Sequence, residues 1–142
     1  MNDNEKQQII DEEQLRLLSF FHYVSGAMTI TFSSMFIFHL RFIGYMTSNP
    51  ELFSNDDAMN AKEAMQIMQI FLAVFGTFVI LGISYGICEI LSGVFIKQKK
   101  HRLFSMIVAI PRIILIPYGT ILSMFTFILL DRNSVKSLYD KN

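Results

Sequence analysis

Apolar residues fill three long blocks of this chain, and in the first two no charged side chain interrupts them. No Asp, Glu, Lys or Arg lies between Leu17 and Leu40, or between Ala64 and Cys88. A helix needs about 20 mostly apolar residues to cross a bilayer core, at roughly 1.5 Å of rise each. Both blocks exceed that length. Leu103 to Leu130 forms a third block, broken only by Pro111, Arg112 and Pro117. The pattern predicts an all-α integral membrane protein with a single transmembrane helical domain over residues 1–142.

The segments read as follows. Residues 1–16 are a polar arm with a thin apolar edge (Ile9, Ile10, Leu15), expected either as a helical lead-in along a membrane surface or as a solvated terminus. Residues 17–46 are the first span, ended by the breaker cluster Thr47-Ser48-Asn49-Pro50. Residues 47–63 are an acidic outer loop, in which Ser54 or Asn55 would cap the next helix and Asp56 and Asp57 would favour its first turn. Residues 64–96 are the second span and 97–102 a basic loop. Residues 103–130 are the third block, and 131–142 a mixed-charge tail whose Val135, Leu138 and Tyr139 have helical spacing.

The third block allows two readings. As one helix it gives three long transmembrane helices. As two it gives a bundle of four membrane segments, the last two a short-armed hairpin turning at Ile116-Pro117-Tyr118-Gly119, where Pro removes a backbone donor and Gly tolerates positive φ. Charge favours the second, because cytoplasmic loops are enriched in Lys and Arg. With Arg41 and Arg112 counted as intramembrane, a hairpin puts nine Lys and Arg on one side against Lys62 alone, whereas three crossings give six against four. Insertion energetics favour it less: Arg112 would offset much of the apolar gain of Leu103 to Ile116 unless it snorkels at an outer turn. Both termini are then expected in the cytoplasm.

Composition excludes several classes. The chain is 52% hydrophobic with zero formal net charge, so no global field attracts nucleic acid. One cysteine, Cys88, rules out an intramolecular disulfide and a thiolate cluster. The acid-rich start is unlike a cleavable signal peptide, so the first span is expected to act as an uncleaved anchor. No paired carboxylates, clustered histidines or nucleophile motif stand at workable spacing, so no enzyme activity, cofactor or metal is expected.

The candidate chemistry is the set of polar groups held within the apolar blocks. Glu89 lies about 12 Å along its helix from Lys97, and an acid at that depth is a functional candidate by default. His22 would lie at a similar depth, making His22 and Glu89 a candidate intramembrane pair, for proton relay or for helix packing. Gly82, Gly86 and Gly93 share a helical stripe with Glu89, while Ser25, Thr29 and Ser33 share a face with His22. Small residues of this kind let two backbones approach, either between these two spans or between two copies of the chain. His39, Arg41 and Arg112 form a candidate outer charge cluster, more often a snorkelling or pairing set than a ligand site. The Lys97 to Arg102 cluster marks orientation and is suited to anionic lipid.

Two stretches resemble a family of small, uncharacterised bacterial multi-spanning inner-membrane proteins. One is Leu17-Leu18-Ser19-Phe20-Phe21-His22-Tyr23. The other is Pro117-Tyr118-Gly119-Thr120-Ile121-Leu122, followed by Phe125-Thr126 and Ser134 to Tyr139. Family members carry a Pro-aromatic-Gly-Thr turn motif, here Pro117, Gly119 and Thr120, while Ser123 replaces their second glycine. The resemblance implies a bacterial inner-membrane location and carries no known activity. Two functions remain in view. One is a non-enzymatic interaction or accessory subunit packing through small-residue helix faces. The other is an oligomeric, proton-coupled transporter or channel using Glu89 and His22. The expected partners are the lipid bilayer and either a second copy or another membrane protein.

Overall fold

In a computed structural model, residues 2–49, 61–114 and 117–140 are described. Among them the chain is all-helical, with five helices and no strand: α1 (Asp3–Ser48), α2 (Ala61–Lys97), α3 (Arg102–Arg112), α4 (Tyr118–Asp131) and α5 (Asn133–Asp140). Two, α1 and α2, are long and apolar enough to cross a membrane. The expected caps at Ser54 to Asp57, and Ile116 of the turn, lie outside the described residues.

The polar arm is helical. It runs into the first span without a break, because no Gly or Pro interrupts residues 3–25 and Asp3 and Glu5 complement the dipole of the first turn. At the far end of α2, Lys99 adopts a left-handed conformation (φ 54°). Its N–H donates to the Ile96 carbonyl and that of Lys100 to the Phe95 carbonyl, the paired bonds of a Schellman ending. Phe95 lies against both His101 and Phe104, with ring centroids 4.8 and 5.3 Å away, and this fixes the short link into α3.

The third apolar block is two helices, not one. α3 ends at Arg112, one residue after Pro111, and α4 begins at Tyr118 with Pro117 as its N-cap. Thr120 Oγ1 donates to the Ile113 carbonyl across the turn (2.8 Å), and Ser123 Oγ to the Ala109 carbonyl (2.8 Å), so α3 and α4 run antiparallel. Gly119 does not serve the turn by positive φ, since no described glycine has one; it is buried in the first turn of α4.

The chain divides into two compact units, residues 1–28 with 85–142, and residues 29–84. In the first, Leu15, Leu18, Ile96, Leu122, Leu129, Leu130, Val135 and Leu138 form a buried apolar cluster. The start of α1, the end of α2 and α5 thus share one end of the unit. In the second, α1 and α2 touch through Ser33 and Gly82 and through Phe36 stacked on Phe75 (6.1 Å), and Val79 is the buried hydrophobe among its described residues.

Candidate functional site

Each of the first four helices carries polar side chains into the interior of the first unit. Ser19, His22 and Ser25 come from α1, Glu89 and Ser92 from α2, Ser105 and Arg112 from α3, and Ser123 and Thr126 from α4; all are buried. Small hydroxyls do most of the stitching. Ser19 Oγ donates to the Gly93 carbonyl (2.7 Å), and Tyr85 Oη donates to the Val108 carbonyl (2.7 Å). These bonds satisfy carbonyl lone pairs that the helix ladder leaves over, at spots where the backbones are close. Gly93 and Gly26 make that closeness possible. A methyl at Gly26 would sit 2.7 Å from the Gly86 carbonyl oxygen, and one at Gly93 would sit 3.0 Å from the Ser19 carbonyl oxygen.

Glu89 and Arg112 form the centre. Arg112 Nε donates to Glu89 Oε1 (3.0 Å), and Nη2 lies 2.7 Å from the same oxygen, with both side chains at most 1% exposed. The pair joins α2 to α3 across the interior. A buried ion pair repays its desolvation only when geometry and extra hydrogen bonds are good, and losing one partner strands the other charge. Tyr85 lies within electrostatic reach of both groups and completes the cluster.

His22 bonds α4. Its Nε2 lies 3.2 Å from Thr126 Oγ1, and that hydroxyl gives its proton to the Leu122 carbonyl (2.7 Å). Thr126 therefore accepts from His22, which assigns the ring proton to Nε2. Nδ1 is buried without a hydrogen-bond partner among the described residues.

Two expected groupings differ in the structure and a third is brought together. His22 and Glu89 share one interior but do not pair, because the rotational phases of α1 and α2 turn His22 to Thr126 and Glu89 to Arg112. Arg112 belongs to no outer charge cluster: it is buried on Glu89, since the Pro111 turn points it inward. His39 packs against Phe36 (5.8 Å) and Arg41 is exposed. The small-residue faces do meet, Gly93 on Ser19 and Tyr23, Gly86 on Gly26, and Gly82 on Ser33. Arg112 as the partner of Glu89 was open to charge bookkeeping: from Ala64 to Leu130, outside the basic loop, these are the one acid and the one base.

A second polar set lies at the end shared by the termini. Buried Asp11 accepts from Gln7 Nε2 (2.9 Å) and from Arg132 Nη1 (2.8 Å), and Arg132 also donates to Gln14 (3.2 Å). Lys99 pairs with Glu12 and Lys136 with Asp131. Burial pushes the Asp11 carboxyl up, but polar contacts from Ser134, Arg132 and Gln7 and the Arg132 charge outweigh it and hold the group below 3.8. A carboxyl lowered on folding contributes stability that is present above its unfolded value and is lost as pH falls through the folded one. The Asp11–Arg132 contact is therefore expected to stay closed at pH 5 and to open only below about pH 4. Amide exchange of α5 against pH checks this, and opening already near pH 6 would contradict it.

Among the described residues the geometry defines an all-helical protein with a set of polar side chains buried between the helices of the first unit, and two long helices with the length and composition of membrane spans. No family model matches the chain, and neither a curated protein nor a solved structure does.

Proposed function

We propose that this is a multi-pass protein of the bacterial inner membrane, acting as a non-enzymatic interaction or accessory subunit. The observation that carries the reading is an inside-out distribution of polarity. Glu89, Arg112 and His22 are at most 1% exposed, while Phe38 is 74%, Phe32 70%, Phe78 68% and Ile80 67% exposed. In water such a surface would be an aggregation liability, and in hydrocarbon it is the expected one. The core helix of a water-soluble protein would be mostly buried, whereas the most apolar stretch of α1 and that of α2 are each 6% buried.

Length supports a four-segment arrangement. α1 and α2 cross, whereas α3 and α4, with 11 and 14 residues, reach about 16 and 21 Å against a core of about 30 Å. The hairpin therefore enters and returns from one side. The basic loop and both termini share that side, the cytoplasm, and the contacts among Asp11, Glu12, Lys99 and Arg132 support this.

An accessory role fits how the interior is used. Its hydroxyls and its ion pair bond one helix to another, and the large outward surface is apolar. The second reading, a proton-coupled transporter working through Glu89 and His22, loses the direct contact between them, since each bonds a different helix. Treating inverted membrane vesicles with an impermeant amine crosslinker tests the proposal. Lys97, Lys100 and Lys136 are expected to react without opening the vesicles and to yield adducts with another membrane protein or a second copy. A strictly monomeric product overturns the accessory role, and labelling that requires opened vesicles overturns the topology.

A further inference from the structure

α3 is amphipathic along its whole length. Ser105, Val108, Ala109 and Arg112 face inward. Leu103, Ile107 and Ile110, with Ile114 just past its end, are 68, 64, 55 and 81% exposed and form one outward stripe. The stripe begins directly beside the densest basic cluster in the chain. Lys97 and Lys100 have no ion-pair partner among the described residues, and Arg102 is half-exposed at the first position of α3. His101 supplies no side-chain cap there, so the first N–H groups of the helix add a positive dipole end to the cluster.

We propose that one anionic phospholipid stands along α3, its phosphate held by Lys100, Arg102 and the uncapped first turn, and its acyl chain on the Leu103–Ile107–Ile110–Ile114 stripe. Charge selects the headgroup: a phosphate meets two cations and a helix N-terminus. Length selects a lipid over a free anion. From Leu103 to Ile114 the stripe spans about 16 Å, close to the half-thickness of a bilayer core, so headgroup and chain are both matched when α3 occupies one leaflet. The inference rests on the bilayer placement proposed above.

Native mass spectrometry of the full chain in detergent micelles tests it, with phosphatidylglycerol and phosphatidylcholine of identical chains and inorganic phosphate as competitor. Retention of one phosphatidylglycerol in preference to phosphatidylcholine is expected. Lys100→Gln/Arg102→Gln is expected to weaken it about thirtyfold, the combined effect of two basic side chains beside an anionic headgroup. Lys6→Gln, which removes a cation that pairs with Asp3 on α1, should leave it unchanged. If the double variant does not fold, Lys100→Gln alone, at an exposed position, replaces it with an expected loss of about fivefold. Equal retention of both lipids, unchanged retention in the Lys100 variants, or displacement by equimolar inorganic phosphate overturns the proposal. Failure of the bilayer placement reads out separately, as chain that stays soluble without detergent once membranes are removed.

Discussion

Replacing Arg112 with methionine is expected to cost the folded protein about 3–5 kcal/mol, the largest effect of any single substitution in the interior. The methionine fills the volume of the Arg112 stem, so the loss comes mainly from Glu89, which is 0% exposed and would lose the Nε hydrogen bond and the adjacent Nη2 charge of Arg112. The double variant Glu89→Leu/Arg112→Met is expected to recover most of that loss, because exchanging both charges for apolar groups also removes the desolvation cost. Denaturant unfolding in one detergent, on wild type, both single variants and the double, completes the cycle. Additive losses in the double variant would mean that the two charges do not depend on one another.

Adding one methyl group at Gly26 is expected to destabilise the protein by about 1–3 kcal/mol, as overpacking does in a close-packed interior. The new Cβ would lie 2.7 Å from both the Gly86 carbonyl oxygen and Ile90 Cγ1, and 3.0 Å from the Ile90 nitrogen. Two of these are backbone atoms, so α1 and α2 must separate, and the neighbouring Ser19–Gly93 bond lengthens with them. Gly44→Ala is the internal contrast. Nothing lies within 4 Å of its added methyl, so the higher helix propensity of alanine should leave stability unchanged or raise it by up to about 1 kcal/mol. Thermal melts in a common detergent check the opposite signs. A Gly26→Ala protein melting with wild type would show that α1 and α2 do not depend on close approach there.

The two substitutions act on different features of the interior. The ion pair governs which helices belong together, and the glycine contact governs how near they come. Both concern the unit formed by residues 1–28 and 85–142. If the accessory role holds, substitutions on the outward faces, such as Phe38 or Phe78, act on partner binding rather than on this interior.

The chain pattern by itself determined the elements. Runs free of charge from Leu17 to Leu40 and from Ala64 to Cys88 dictate long apolar helices, because periodicity and composition are local properties. Pro117 marked a possible break in the third block, since ring closure at proline acts on the residues beside it, but one helix or two stayed open until α3 and α4 were seen to be separate. Partners were decided only in three dimensions. Arg112 meets Glu89 across 23 residues, His22 meets Thr126 across 104, and Asp11 meets Arg132 across 121. Each contact depends on how far a helix is rotated about its own axis, and a few tens of degrees exchange one buried neighbour for another. That rotation is set by close packing at Gly26 and Gly93 and by the interhelical bonds of Ser19, His22 and Glu89. Both conditions involve several helices at once, and no single stretch of chain carries them.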